Sequence, residues 1–261
     1  MVQEIKGSVW EISMRLTDKV AVVTGAGQWI GRAIALRLSD EGAHIIVNDV
    51  VPERANEVAE EIRISGHKAL AVGIDVTNRQ LVDEMVKHTL GEFGKIDILV
   101  NNVGGSGGGS PGGKLPFFYD MKDEIWDYVI SLNLKSTYNC SRAVIDHMIK
   151  RKTGKIINIS SQAGIRGMVG LVHYSTAKAG IIGFTMALSQ EVAPYGIRVN
   201  CVCPGPTGRD IDQPQLFKNE QQQGGLGRDG KPDEVAALVA FLASDEADYI
   251  SGQNYIMGGR S

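Results

Sequence analysis

Tyr174 and Lys178 stand four residues apart in Tyr174-Ser175-Thr176-Ala177-Lys178, and Ser161 precedes the tyrosine by thirteen positions. On a helix, residues i and i+4 lie one above the other on the same face. An ammonium beside a phenol favours the phenolate, because an opposite charge stabilises the ionised form. A free phenol titrates near pH ~10, so such a neighbour brings tyrosine toward the range of a working general acid or base. The spacing is common by itself, and its ordinary meaning is an amphipathic helix with a solvated lysine. It acquires chemical meaning only if the rest of the chain holds a redox cofactor.

The elements that must position these residues can be read from hydrophobic pattern. Apolar runs at 20–24, 43–48, 69–75, 96–101, 155–160, 197–202 and 255–257 have the character of buried strands. Helix-period segments fill the gaps, at 32–41, 52–65, 79–93, 122–151, 174–195 and 233–243. Strands alternating with helices imply βαβ crossovers, hence an α/β fold. The expected architecture is one doubly wound, Rossmann-type parallel sheet with helices on both faces, spanning 16–261 after an N-terminal extension of 1–15. Residues 104–113 form one glycine-rich stretch, Gly104-Gly105-Ser106-Gly107-Gly108-Gly109-Ser110-Pro111-Gly112-Gly113, directly after Asn101-Asn102. That places it at the carboxyl edge of the sheet, where α/β folds bind ligands. A tolerated insertion and a mobile active-site wall both suit this composition.

Bulk properties narrow the class. The 261 residues are 43% hydrophobic and 22% charged, as in soluble globular proteins. A net charge of −3 offers no electrostatic reason to expect nucleic acid or an anionic membrane as partner. No apolar run approaches a membrane span and the first fifteen residues lack a signal-peptide core, so a cytoplasmic location is expected. Cys140, Cys201 and Cys203 read as buried reduced thiols, and no second cysteine pair completes a metal site.

The cofactor half lies near the start. The first strand runs into Thr24-Gly25-Ala26-Gly27-Gln28-Trp29-Ile30-Gly31 and then a helix. A glycine-rich turn at a helix amino terminus lets backbone amides approach a pyrophosphate, and the helix dipole favours its charge. The strand–turn–helix setting strengthens what a glycine trio alone would leave weak. Asp49 ends the second strand, eighteen residues past Gly31. A carboxylate there accepts hydrogen bonds from the adenosine ribose and repels a 2′-phosphate, which favours NAD over NADP.

With these pieces together the chain resembles the short-chain dehydrogenase/reductase family over roughly 16–259, in particular its NAD-preferring 3-oxoacyl and hydroxyacyl dehydrogenases. Thr24 to Gly31 resembles the family's TGxxxGxG turn, and Asp75-Val76 its Asp-Val contact to adenine. Asn101-Asn102-Val103-Gly104 resembles its Asn-Asn-Ala-Gly, and Asn133 in Leu132-Asn133-Leu134 its helix asparagine. Ser161, chosen over Ser160 by the spacing to the tyrosine, matches the catalytic serine. Tyr174 and Lys178 match the Tyr-x-x-x-Lys pair, and Pro204-Gly205 the Pro-Gly after the sixth strand. The resemblance implies hydride transfer between NAD(H) and a secondary alcohol or ketone. Ser161 polarises the substrate oxygen, Tyr174 moves the proton, Lys178 lowers the tyrosine's pKa and binds the nicotinamide ribose, and Asn133 fixes a water that completes a relay. The cofactor contacts it implies are Gly25, Gly27, Trp29, Ile30, Gly31, Asp49, Asp75, Val76, Asn102, Pro204, Gly205 and Thr207, joined by Tyr174 and Lys178.

Three positions depart from the pattern. Trp29 occupies the family's middle glycine, beside the pyrophosphate. A positive φ there strains the chain or displaces the cofactor, unless Gly27 absorbs it through a shifted turn. Val103 replaces an alanine near the adenosine end. Arg209 stands near Thr207 where a phosphate-contacting threonine is usual, and an arginine suits phosphate or an anionic substrate. These changes raise an alternative, a degenerate subunit that binds a partner and turns over weakly; retention of all four catalytic residues argues for an enzyme. Arg166, Met168, Val169, Leu171, His173, Arg209, Leu216 and Phe217 mix apolar and cationic side chains around the substrate. That mixture suits a hydroxyacyl thioester or a carboxylated alicyclic or aromatic alcohol. The ending Gly258-Gly259-Arg260-Ser261 also resembles relatives that act on hydroxyacyl-CoA intermediates of aromatic degradation. The resemblance further implies a homotetramer, built through the long helices and the last strand.

Overall fold

The computed structural model describes residues 14–107, 117–208, 226 and 228–258. Seven parallel strands form one sheet in the order β3-β2-β1-β4-β5-β6-β7. They are β1 (Val20–Thr24), β2 (His44–Asp49), β3 (Ala69–Gly73), β4 (Ile98–Asn101), β5 (Gly154–Ile159), β6 (Ile197–Cys203) and β7 (Asn254–Ile256). The order runs outward from β1 to β3 on one side, and from β4 to β7 on the other. This reversal opens a crevice beyond the carboxyl ends of β1 and β4, the place where doubly wound sheets take ligands.

Alternation along β1 assigns the two faces. Ala21 and Val23 join a cluster with Ile34 and Leu38 of α1 (Trp29–Asp40), Val58 and Ile62 of α2 (Pro52–Ile64), and Val239 and Leu242 of the helix Pro232–Ala243. Val20 and Val22 join the opposite cluster with Val82 of α3 (Arg79–Phe93), Met148 of the helix Ser136–Arg151, and Val192 at the end of the helix Val172–Val192. Both faces of each central strand are therefore buried, which is why the strands read as unbroken apolar runs instead of alternating ones. The remaining helices are α4 (Asp123–Ile130) and the short α6 (Ala163–Arg166), so that Ser136–Arg151 is α5, Val172–Val192 is α7 and Pro232–Ala243 is α8.

Most boundaries fall within two or three residues of the expected ones. The strand expected at 69–75 stops at Gly73, because the Asp75 carboxylate accepts the Thr77 N–H at 2.8 Å and turns the chain toward α3. The strand expected at 96–101 begins at Ile98; Ile96 N–H is taken by His147 Nε2 and Asp97 lends its carboxylate to Val20 N–H. Arg15, assigned by sequence to the extension, belongs to the fold. Its guanidinium and that of Arg37 both reach Glu41, whose side chain is fully buried, with the closest contacts at 2.7 Å. The helix expected at 122–151 is interrupted between α4 and α5 by a π-helical stretch, Ser131–Lys135. Residues 1–13, with most of the glycine-rich segment, Arg209, Leu216, Phe217 and the last three residues, lie outside the described residues.

Two glycines of the fold have opposite surroundings. A Cβ on Gly31 would run into the carbonyl oxygen of Gly25 and stand 2.6 Å from Asn102 Nδ2, whereas one on Gly91 within α3 meets nothing within 4 Å. Gly31→Ala is expected to lose about 1–3 kcal/mol of unfolding free energy through overpacking, and Gly91→Ala to gain roughly 0.5–1 kcal/mol from helix propensity. Urea unfolding of the two variants gives shifts of opposite sign on this account, and shifts of the same sign would contradict it.

Candidate functional site

The carboxyl ends of β4, β5 and β6 bring together Asn133, Ser161, Tyr174 and Lys178. β5 leads directly into Ser160-Ser161. The Ser160 hydroxyl faces inward and donates to Lys178 O at 2.7 Å. Ser161 accepts the Ala163 N–H on its hydroxyl oxygen at 3.1 Å, which leaves its own proton free to be donated toward the site. Helix α7 presents Tyr174 and Lys178 one turn apart on the face that meets β5 and β6.

Lys178 is 3% exposed and donates from Nζ to Ile159 O at 2.9 Å. The same nitrogen lies 5.7 Å from the Tyr174 ring centroid, within cation–π range. Burial disfavours its charge and brings its pKa from the ordinary 10.5 down to about 8; the neighbouring Cys201 and Cys203 act in the opposite direction. All three cysteines are free and buried. Burial raises the Tyr174 phenol above its ordinary value, and the Ser161 hydrogen bond opposes that rise. Within the protein alone, desolvation of the phenol outweighs the downward pull, which comes from Ser161.

Asn133 sits in the π-helical stretch, a distortion that recurs at functional positions. Its Nδ2 donates to Gly105 O and to Val129 O, both at 2.8 Å, and its Oδ1 accepts Gly105 N–H at 3.1 Å. The side-chain amide of Asn133 is thereby bound to the root of the glycine-rich segment. A Cβ on Gly104 would stand 2.5 Å from Asn133 Oδ1 and 2.8 Å from Lys178 Nζ, so only glycine lets that backbone cross between them. His173 was expected among pocket-lining residues. It is fully buried, and its Nε2–H donates to Ser106 O at 3.2 Å, which holds the next residue of the same root.

The nucleotide-side residues meet at the end of β1. Thr24 Oγ1 accepts Asn102 N–H at 3.1 Å, while Asn102 Nδ2 donates to Thr24 O and Gly25 O, each at 3.1 Å. Asn102 therefore braces the glycine turn. The Asp49 carboxylate accepts Gly27 N–H at 3.1 Å and Val51 N–H at 3.0 Å, which ties the end of β2 to the same turn. Ile30 and Gly31 are buried in the first turn of α1. Asp75 is exposed, whereas Val76 is buried in the second cluster and sends only its carbonyl, bound by Asn139 Nδ2, toward a polar partner. Pro204 O accepts Gln162 N–H, Gly205 N–H donates to Met257 O, and Thr207 Oγ1 donates to Gly205 O. Gln162 also donates to Met257 O at 2.6 Å, so it joins three loops around the site. Nothing in its sequence setting marks that role.

Trp29 adopts φ +51°, the left-handed region, as the first residue of α1. A non-glycine residue there costs about 1–3 kcal/mol. Gly27 does not absorb the strain through a shifted turn; Trp29 itself takes the conformation that the family's glycine supplies. Its indole Nε1–H donates to Gly208 O at 2.7 Å, and 38% of the residue is exposed.

A doubly wound parallel sheet with a glycine turn at the switch point and a Ser–Tyr–Lys cluster beside it has the architecture of a dinucleotide-dependent oxidoreductase. The chain belongs to the short chain dehydrogenase family, whose profile matches residues 19–220. It is 38% identical over 254 residues to the (2S)-[(R)-hydroxy(phenyl)methyl]succinyl-CoA dehydrogenase subunit BbsD of Thauera aromatica, covering 95% of this chain and 98% of that one. It is 42% identical over 246 residues to a 3-oxoacyl-[acyl-carrier-protein] reductase of Synechocystis, covering 94% and 97%. A solved 7α-hydroxysteroid dehydrogenase, in complex with NADH and 7-oxo glycochenodeoxycholic acid, superposes with a TM-score of 0.86 at 30% identity, covering 95% and 96%. The chain is an oxidoreductase acting on CH–OH groups with a nicotinamide cofactor. No helix among the described residues is long and apolar enough to cross a membrane, and no three His, Cys, Asp or Glu among them cluster as a metal site would require.

The buried lysine makes stability depend on pH. Below about 8 the folded and unfolded chains both carry its proton; between about 8 and 10.5 only the unfolded chain does. Stability rises wherever the unfolded state binds more protons. The parent chain should therefore gain stability relative to Lys178→Met as pH rises across that window. Parallel unfolding curves for the two proteins at pH 7.5 and 9.5 would contradict the assignment.

Proposed function

We propose that the chain interconverts a secondary alcohol and a ketone with NAD(H), with Ser161, Tyr174 and Lys178 as its catalytic residues. The observation that carries this reading is the buried Lys178, whose Nζ donates to Ile159 O and lies 5.7 Å from the Tyr174 ring, with Ser161 near enough to draw the phenol's pKa downward. Loss of such a cluster is what the alternative of a weakly active, degenerate subunit requires. We take 16–261 as the enzymatic unit, extended by one residue toward the amino terminus to Arg15 by its contacts to Glu41.

The residues fit a dinucleotide. The amino terminus of α1, with Gly25, Gly27, Trp29, Ile30 and Gly31 around it, faces the crevice and offers first-turn amides to a pyrophosphate. Asp49 is fixed by two backbone N–H groups and keeps lone pairs for ribose hydroxyls. Its charge disfavours a 2′-phosphate, and the solved relative holds NADH. Asp75 and Val76 would flank the adenine side, Asn102 braces the turn, and Pro204, Gly205 and Thr207 would close the nicotinamide side. The cofactor supplies hydride acceptance and donation at the nicotinamide ring.

The chain's own residues handle the proton. Tyr174, held as a neutral phenol, donates to a carbonyl oxygen as charge develops there during reduction. It takes the hydroxyl proton back in oxidation, which gains as pH rises. Ser161 donates a second hydrogen bond to the same oxygen. Lys178 offers a cation to the ribose hydroxyls, and Asn133 acts by position, holding Gly105 so that Gly104 closes over the lysine.

For the substrate we favour a hydroxyacyl thioester or a carboxylated aromatic or alicyclic alcohol. Ile165, Met168, Val169 and Val172 are exposed apolar residues around α6 and the start of α7, with Arg166 exposed among them. The Thauera relative acts on an aryl-substituted succinyl-CoA. We also read the protein as a cytoplasmic homotetramer: Tyr128, Tyr138 and Met186 are exposed on α4, α5 and α7, and Ile256 on the edge strand β7, surfaces that further copies cover.

Tyr174→Phe should lower turnover of a ketone panel by about 10²–10⁴-fold, with NADH affinity from fluorescence titration little changed; retained turnover rejects the assignment. Asp49→Ser should raise the NADPH-to-NADH ratio of kcat/KM on the order of tenfold or more. An unaltered ratio removes Asp49 from cofactor choice.

A further inference from the structure

The connection between β6 and α8 leaves the sheet at Pro204 and is bound back to itself across its own root. Gly208 N–H donates to Gly230 O at 2.9 Å and Gly230 N–H donates to Pro206 O at 2.9 Å. Thr207 and Gly230 thereby pair as an isolated parallel bridge. Gly230 lies two residues before α8, and α8 packs beside α1 on the same face of the sheet. The amino ends of these two helices thus stand next to each other at the carboxyl edge.

Trp29 joins them. Its backbone is the first residue of α1, where a phosphate would be held, and its indole N–H reaches Gly208 O at 2.7 Å. The residue that makes this contact holds a left-handed backbone, uncommon away from glycine. A side chain with no role there would be replaced at no loss by glycine, for which φ +51° carries no penalty. A phosphate taken by the first-turn amides of α1 would be held by the backbone of the residue whose indole makes this bond.

We propose that Trp29 is a positioning residue for the dinucleotide: through Gly208 it ties the segment after β6 to the pyrophosphate turn, and the bound cofactor leaves only when that tie opens. This rests on the reading of the chain as NAD(H)-dependent. It assigns to the bulkiest departure from the family's glycine pattern a function in retaining the cofactor.

The test uses the full chain and NADH itself, whose fluorescence reports its release when an excess of NAD⁺ is added in a stopped-flow instrument. Trp29→Phe keeps an aromatic ring without the N–H donor; Trp29→Gly removes the ring and the strain. Loss of one neutral hydrogen bond corresponds to about three- to tenfold, so both variants should release NADH faster by at least that factor. Trp29→Gly should do so with a cofactor-free melting temperature no lower than the parent's, a combination that a purely structural tryptophan does not produce. Release rates equal to the parent's in both variants overturn the proposal. Binding of NADH by Trp29→Gly alone also overturns it, since the indole then excludes the cofactor, and leaves the dinucleotide reading intact. No binding by any of the three proteins at millimolar NADH removes the dinucleotide reading itself.

Discussion

A lysine ammonium buried at the carboxyl end of a parallel sheet is the constraint around which this site is built. Desolvation of a charge is severe unless hydrogen bonds compensate, and Lys178 meets Ile159 O and the π-face of Tyr174. The consequences extend well beyond the pair. Gly104 has no side chain because Nζ and the Asn133 amide occupy that volume. Gly164 has none because a Cβ would press on the Lys178 backbone at 2.6 Å. Ser160, one residue from the serine that meets the tyrosine, directs its hydroxyl to Lys178 O and so locks α7 onto β5.

The break in the helix between α4 and α5 borders the same site, with Asn133 Oδ1 and Lys178 Nζ both beside Gly104. In the π-helical stretch the regular i to i−4 ladder shifts, and Asn133 Nδ2 donates to the Val129 carbonyl four residues back. The other face of that amide then clamps Gly105 from both sides. With His173 holding Ser106, the start of the glycine-rich segment is anchored by two buried side chains. A composition that reads as freely flexible begins, in its first three residues, as a fixed wall of the site.

The nucleotide side is organised by backbone strain of a different kind. Gly31 supplies close approach, Asn102 and Asp49 hold the turn from β4 and β2, and Trp29 supplies a left-handed φ that glycine would give without penalty. Strain of this sort persists only where surrounding contacts over-determine it. Here the indole's bond to Gly208 is one such contact, and it links the first βα unit to the last.

The alternation of apolar runs with helix-period segments was enough to read the seven strands and most helices, because strands buried on both faces and amphipathic helices carry their pattern locally. Tyr174, Lys178, Ser161 and the glycine turn were legible for a similar reason: their chemistry depends on residue type at fixed spacing along one chain segment. Other features had no local signature. The π-helical stretch at Asn133, the close approach at Gly104, the three-loop bracing by Gln162 and the contact of Trp29 with Gly208 each join residues distant in sequence, and only packing decides them. The direction of the tyrosine's pKa shift belongs with these. Spacing alone places an ammonium beside the phenol, whereas how deeply both are buried, which sets whether desolvation or charge prevails, is a property of the folded protein.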